Sequence, residues 1–186
     1  LIMLGIVLLR GIAFPKKNIL LGYILMGGVG YVAQSFSFFT ALTLASASLV
    51  ALLLYSFPAL VALLESVLFK QKPSPLKLIA LALSLTGVAL TIGFDLQGKP
   101  LGIILALAAA VIYSGYIWTG NKLAGKVSVL SSSTVIMLSA GVVFGGLTLA
   151  QGFHAPAALQ GWLAVLGIVV ISTIFAMLSF FAGLEK

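Results

Sequence analysis

The chain has 186 residues, of which 62% are hydrophobic and only 7% charged; soluble domains carry about 25% charged residues, so lipid must cover most of this surface. Ten Lys and Arg stand against three acids, for a net charge of +7, but the basic residues sit between apolar runs rather than beside polar and aromatic partners, which excludes a nucleic-acid interface. There is no cysteine and a single histidine, His154. Disulfides, thiolate or His-rich metal sites and Cys nucleophiles are therefore excluded, and no cofactor or metal is expected.

Spanning the roughly 30 Å hydrocarbon core takes about 20 residues of helix. Cutting the sequence at its charges predicts a partial span over residues 1–9 and whole spans over 19–41, 48–69, 78–94, 101–120, 131–150 and 161–184. The chain opens inside the apolar run LIMLGIVLLR, with no basic segment ahead of it and no small-residue cleavage pattern behind it. That start reads as the tail of a helix rather than as a signal peptide, and the expectation is a fragment of a longer protein. The connectors are short and hold turn formers: Pro15 and Asn18, Pro73 and Pro75, Gly98 and Pro100, Asn121 and Gly125, Gly152 and Pro156. Such connectors join antiparallel neighbours. The uncharged ALTLASASL over residues 41–49 is read as a tight turn at the membrane surface.

Lys and Arg collect on alternate connectors. Arg10, Lys16, Lys17, Lys70, Lys72, Lys77, Lys122, Lys126 and Lys186 fall on one side, and Lys99 alone, near Asp95, on the other. The positive-inside rule makes the first side cytoplasmic. Loops 10–18, 70–77 and 121–130 then face the cytoplasm in a multi-pass protein of the cytoplasmic membrane, and His154 and the 41–49 turn face outward.

An internal repeat is visible. Residues 21–42, LGYILMGGVGYVAQSFSFFTAL, align without gaps on residues 163–184, LAVLGIVVISTIFAMLSFFAGL. The two segments lie five spans apart and, by the charge bias, cross in opposite directions. That is the relation an inverted five-helix repeat predicts. The offset is 163 minus 21, or 142 residues.

The stretch 30–93, GYVAQSFSFFTALTLASASLVALLLYSFPALVALLESVLFKQKPSPLKLIALALSLTGVALTIG, resembles the second half of the repeat in EamA-family members of the drug/metabolite transporter superfamily. The matching pieces are Ala41-Leu42 with its small-residue turn, Phe57-Pro58 in mid-helix, the helix end ahead of Lys70-Gln71-Lys72, and Gly87-Val88. Residues 101–122 are similar to the opening helix of the second repeat. One departure is Lys70-Gln71-Lys72, where the family often has an acidic–basic pair, which puts a local ion pair in doubt. The resemblance implies an all-α, polytopic membrane protein of inverted five-helix repeats, truncated here at both ends. Residues 1–94 would be the first repeat without its N-terminal helix, and 101–186 the second without its last two. The spans would be helices two to eight of ten.

A transporter needs a cavity near the midplane lined by a few polar or aromatic groups. On the 19–41 span, Tyr31, Gln34 and Phe38 share a face with Gly27, and Ser35 lies beside it. They are cavity candidates, or else Gln34 and the serines bond a neighbouring helix. On the 48–69 span, Tyr55 lies in a stripe of small residues beside Pro58, which removes a helix hydrogen bond and frees a carbonyl near Leu54. A rocking hinge and a static kink are both open there. Glu65 is the one acid inside a span. It is a coupling group by the intramembrane rule, or a carboxylate at the interface drawn to Lys70 or Lys72. Tyr113 is the candidate on the 101–120 span, while Trp118, near Lys122, and Trp162 belong to interfacial belts. Thr173, equivalent to Tyr31, and Ser179 are the candidates on the last span. The 78–94 and 131–150 spans are read as packing helices.

The function expected is secondary active transport of a small organic metabolite, an amino acid or related compound, in the direction of export and by alternating access. A channel or a non-transport membrane protein is the alternative. No nucleotide-binding loop appears. No Ser/His/Asp set or paired acids lie in the spans, so an enzyme is not expected. The partners expected are the lipid bilayer and a small-molecule substrate, with a homodimer left open. Residues 1–186 alone are expected to show no flux.

Overall fold

The structure is a computed structural model. It describes residues 2–69, 74–92, 97–152, 155–156 and 158–175, without the side chains of 69, 88, 91–92 and 172–175. Asp95, His154, Lys70, Lys72, Ser179 and the side chain of Thr173 therefore lie outside the described residues, as do residues 176–184 of the expected partner segment 163–184.

Apolar runs of bilayer length fold as helices because lipid offers no partner to a free peptide group. The chain forms α1 (Ile2–Leu9), α2 (Lys17–Leu25), α3 (Val32–Leu42), α4 (Ala47–Leu54), α5 (Phe57–Phe69), α6 (Pro75–Ile92), α7 (Pro100–Leu123), α8 (Val129–Gln151) and α9 (Leu159–Gly167). A π-helical segment, Met26–Tyr31, joins α2 to α3, and a second, Ile168–Phe175, follows α9. Among the described residues there is no β-strand, and the chain is an all-α polytopic membrane protein. Among the described residues, four helical stretches are long and apolar enough to cross a bilayer: Lys17–Leu42, Ala47–Leu68, Pro100–Leu123 and Val129–Gln151. Large apolar side chains such as Val142 and Leu149 point outward, 74% and 82% exposed, as lipid-facing groups do.

Helix α7 is the centre of the bundle. Its buried residues are all small, Gly102, Ala106, Ala109, Ala110 and Ser114, and a small-residue face lets neighbouring backbones approach closely. Helices α3, α4 and α5 and the first π segment pack around it. Ala41 of α3, Val50 of α4 and Ala106 of α7 form one fully buried cluster. Helix α8 closes the other side. It packs on α1 through Met3, Val7 and Leu130, and on α2 and the start of the π segment through Tyr23, Met26 and Val135. The Tyr23 hydroxyl donates to the Leu123 carbonyl at 3.0 Å.

The expected tight turn over 41–49 is present. It begins after Leu42, and Ser46 caps α4 by accepting a hydrogen bond from the Leu49 N–H at 3.3 Å. The turn is tied to the connector ahead of α7. The Ser46 N–H donates to the Gln97 carbonyl at 2.8 Å, and the Lys99 N–H donates to the Leu44 carbonyl at 2.9 Å. Gly98 sits in this bridge, and a Cβ there would lie 2.7 Å from that of Ala45. This bridge is a two-hydrogen-bond link between the first half of the chain and the start of α7.

Pro58 does more than bend a continuous helix. Helix α4 stops at Leu54, Tyr55 and Ser56 form a turn, and α5 restarts at Phe57 with Pro58 as its second residue. A proline in the first turn of a helix loses no intrahelical bond. The Ser56 hydroxyl donates to the Leu53 carbonyl at 2.7 Å, closing the end of α4.

The π segments begin at Met26 and at Ile168, which are 168 minus 26, or 142, residues apart. This is the offset of the internal sequence alignment. A π-helical turn widens the helix and shifts every later side chain around the axis. Gly27 and Gly28 in the first segment meet Ser139 of α8, and Gly27 meets the Ile136 carbonyl so closely that a Cβ there has no room.

Candidate functional site

The candidate site is a cavity of about 400 Å³ between the first π segment, α7 and α8. Tyr31 ends the π segment and reaches the cavity together with Tyr116 of α7. The facing wall is α8, which contributes Ser133, Met137, Ala140 and Gly141. Ser133, Met137 and Gly141 are successive steps of four residues and so lie along one helix face. Among the described residues, no charged residue lines the cavity. Its polar groups are the two phenol hydroxyls and one serine, set in an otherwise apolar wall. Such a cavity takes a small organic molecule, holding its apolar part by ring faces and its polar part by hydroxyls that both donate and accept.

An aromatic row leads from the cavity to the proline break. The Tyr116 and Tyr113 rings stack with centroids 5.9 Å apart and planes at 11°. The Tyr113 ring meets Phe57 edge-on at 4.7 Å and 77°. Edge-to-face and offset contacts of this kind add about 0.5–1.5 kcal/mol beyond burial. Tyr113 is thus held between the cavity tyrosine and the first residue of α5. Beside it, the single Ser114 hydroxyl proton is shared between the Ala110 carbonyl at 2.7 Å and the Phe57 carbonyl at 3.2 Å.

The structure brings some of the sequence candidates together and separates others. Tyr31 lines the cavity, Tyr113 lies in the row that reaches it, and Pro58 is the residue after Phe57, the far member of that row. Gln34 is half-buried on α3. Phe38 packs on the Ala41, Val50 and Ala106 cluster. Tyr55, in the break, is 49% exposed. Glu65 forms an ion pair with Lys77 of α6, Nζ to Oε2 at 2.8 Å, with both side chains well exposed. Thr173 lies in the second π segment, but its side chain and Ser179 are outside the described residues.

Two features of the site were missed from sequence. Tyr116 rather than Tyr113 reaches the cavity, and α8 is a cavity wall as well as a packing helix. The available signal was the i, i+4, i+8 row Ser133, Met137, Gly141, which the dense apolar sequence around it hides. A second hollow, of about 620 Å³, shares Tyr116 and runs between the first π segment, α5 and α7 past Leu64, Leu68 and Trp118. The Trp118 indole N–H is buried with no hydrogen-bond partner among the described residues, and the Lys122 ammonium lies 3.8 Å from the centre of its ring.

The model of the EamA-like transporter family matches residues 1–93 and 100–186. No curated protein and no solved structure matches the chain. The fold, with its apolar helices around a small uncharged cavity, agrees with the family match. The chain belongs to the EamA-like transporter family, whose members are membrane transporters of the drug/metabolite type.

Proposed function

We propose that the protein is a secondary active transporter that exports a small organic metabolite, an amino acid or a related compound, across the cytoplasmic membrane by alternating access. The observation that carries this reading is the origin of the cavity walls. Tyr31 comes from residues 1–94, while Tyr116, Ser133, Met137 and Gly141 come from residues 101–186. Transporters built from inverted repeats bind substrate at the interface between repeats. Two further features support the repeat: the alignment of 21–42 on 163–184, and the π segments that begin at the same 142-residue offset.

In this reading the basic connectors at 10–18, 70–77 and 121–130 face the cytoplasm. The substrate stacks on Tyr31 and Tyr116 and bonds their hydroxyls and Ser133. Rocking of one repeat on the other exposes the cavity to each side in turn, and the break at Tyr55–Ser56 gives the α4–α5 span a joint for that motion. The uncharged wall suits a substrate with no net charge, such as a zwitterionic amino acid.

The test is a thermal-shift screen of amino acids and related metabolites on the full-length protein, repeated on Tyr31→Ala/Tyr116→Ala. A stabilising compound that loses its effect in the double variant is the expected result. A screen in which no compound of this class stabilises the protein overturns the substrate class. Stabilisation that survives in the double variant overturns the cavity.

A further inference from the structure

A separate cavity of about 570 Å³ lies at the basic end of the bundle, between the α1–α2 and α7–α8 connectors. Lys16 and Lys126 line it from opposite connectors. Its remaining wall is largely apolar, with Ile12, Phe14, Pro15 and Ile19 on one side and Val127 on the other. Gly125, at a φ of 76°, makes the left-handed turn that carries Lys126 back toward α2. Only glycine adopts that backbone without strain.

Charge here is unbalanced. Arg10, Lys16, Lys17, Lys122 and Lys126, five of the ten basic residues of the chain, lie on or beside these two connectors. Among the described residues the one acid is Glu65, which is engaged with Lys77 on another part of the bundle. The cavity thus presents two ammonium groups with no described carboxylate between them. Lys16 also stands at the start of α2, where no side chain caps the first N–H groups, so the positive end of that helix adds to the field.

An anion that fits must also accept an apolar wall and lie at the membrane–water boundary, where basic ends of spanning helices sit. A free inorganic anion uses the lysines and leaves Ile12, Phe14 and Ile19 idle. A phospholipid uses both. Basic pockets between spanning helices at this level are suited to anionic headgroups. We propose that this cavity holds the phosphate of an anionic phospholipid, with Lys16 and Lys126 as its counter-cations and Ile12, Phe14 and Ile19 against its glycerol and first acyl carbons. The lipid fastens the α1–α2 connector to the α7–α8 connector, and so links the two halves of the chain at the end opposite the Ala45–Gly98 bridge. This inference does not depend on the substrate or on the direction of transport.

The experiment is native mass spectrometry of the full-length protein in detergent, titrated with phosphatidylglycerol, phosphatidylcholine or inorganic phosphate. Phosphatidylglycerol is expected to be retained in preference to phosphatidylcholine. Each lysine near a membrane surface is worth a factor of about five in attraction to anionic lipid. Lys126→Gln, on an exposed connector, should therefore weaken retention about fivefold, and Lys16→Gln/Lys126→Gln about twenty-fivefold. The charge-matched control Lys77→Gln/Lys99→Gln should retain the lipid as the unaltered protein does. The melting temperature in phosphatidylcholine reports whether each variant is folded, and Lys126→Gln alone decides the matter if the double variant is not. Equal retention of the two lipids, or undiminished retention in folded Lys126→Gln, overturns the proposal. Displacement of the lipid by inorganic phosphate at equal concentration also overturns it, because the occupant is then a soluble anion.

Discussion

The Ser114 hydroxyl donates to the Phe57 carbonyl at 3.2 Å, joining the middle of α7 to the residue that precedes Pro58. The bond ties the restart of α5 to the central helix at the point where the α4–α5 span is interrupted. Interhelical bonds of this type average about 0.6 kcal/mol in membrane proteins. Ser114→Ala is expected to lower stability by about that amount, measured as unfolding in mixed micelles. Ser56→Ala, which removes the hydroxyl bonded to Leu53 within the same chain segment, should cost a similar amount. The double variant should lose their sum, because the two hydroxyls share no acceptor.

Gly27 and Gly146 predict opposite outcomes for the same substitution. Gly27 faces Ser139 and the Ile136 carbonyl with no room for a Cβ, while a Cβ at Gly146 meets nothing within 4 Å. Gly27→Ala should force α8 away from the π segment and cost about 1–3 kcal/mol, the usual range for overpacking. Gly146→Ala should leave stability unchanged or raise it. Thermal midpoints of the two variants in the same detergent check both.

The cavity predicts a ranking among the tyrosines. Tyr31→Ala and Tyr116→Ala each remove a ring worth about 1 kcal/mol of contact, which is roughly a fivefold loss of affinity or transport. Tyr113→Ala should weaken transport through misplacement of Tyr116 and should also destabilise the fold, since it loses both ring contacts. Tyr55→Ala, at an exposed position, should change neither. Initial rates of uptake into vesicles, normalised to protein inserted, give the order.

Glu65 and Lys77 form an exposed pair, and exposed pairs contribute at most about 1 kcal/mol. The expectation is that Glu65→Gln leaves transport intact and lowers stability slightly. The charge reversal Glu65→Lys/Lys77→Glu should recover what either single change loses. Loss of transport in Glu65→Gln, with folding retained, would make this carboxylate part of the transport machinery.

Charge and hydropathy made the helices legible before any geometry. Residues 19–41, 101–120 and 131–150 were expected as spans, and helices run Lys17–Leu42, Pro100–Leu123 and Val129–Gln151. This works because lipid forces every peptide group into the helix, so that apolar length alone sets the element. The inward faces were harder to read. In a soluble helix the polar face marks the outside, but here both faces are apolar, and only neighbours decide which side meets a cavity. Helix α8 reads as a packing helix for that reason. Tyr113 is the candidate that the sequence offers on this span, whereas Tyr116, one turn further along α7, lines the cavity. The first π segment left no mark that a cut at charges could read, since Met26–Tyr31, MGGVGY, carries no charge. Glu65 reads as a coupling group or as an interface carboxylate drawn to Lys70 or Lys72; those two lysines lie outside the described residues, and the described ion pair is with Lys77 at the start of α6.

The claim that the cavity carries metabolite from one side of the membrane to the other is tested most directly by counterflow. Vesicles containing the full-length protein are loaded with an unlabelled amino acid and diluted into the labelled one. The account predicts a saturable, transient overshoot of label that disappears in Tyr31→Ala/Tyr116→Ala. Uptake that rises linearly with concentration, shows no overshoot and is unaffected by those substitutions would contradict it.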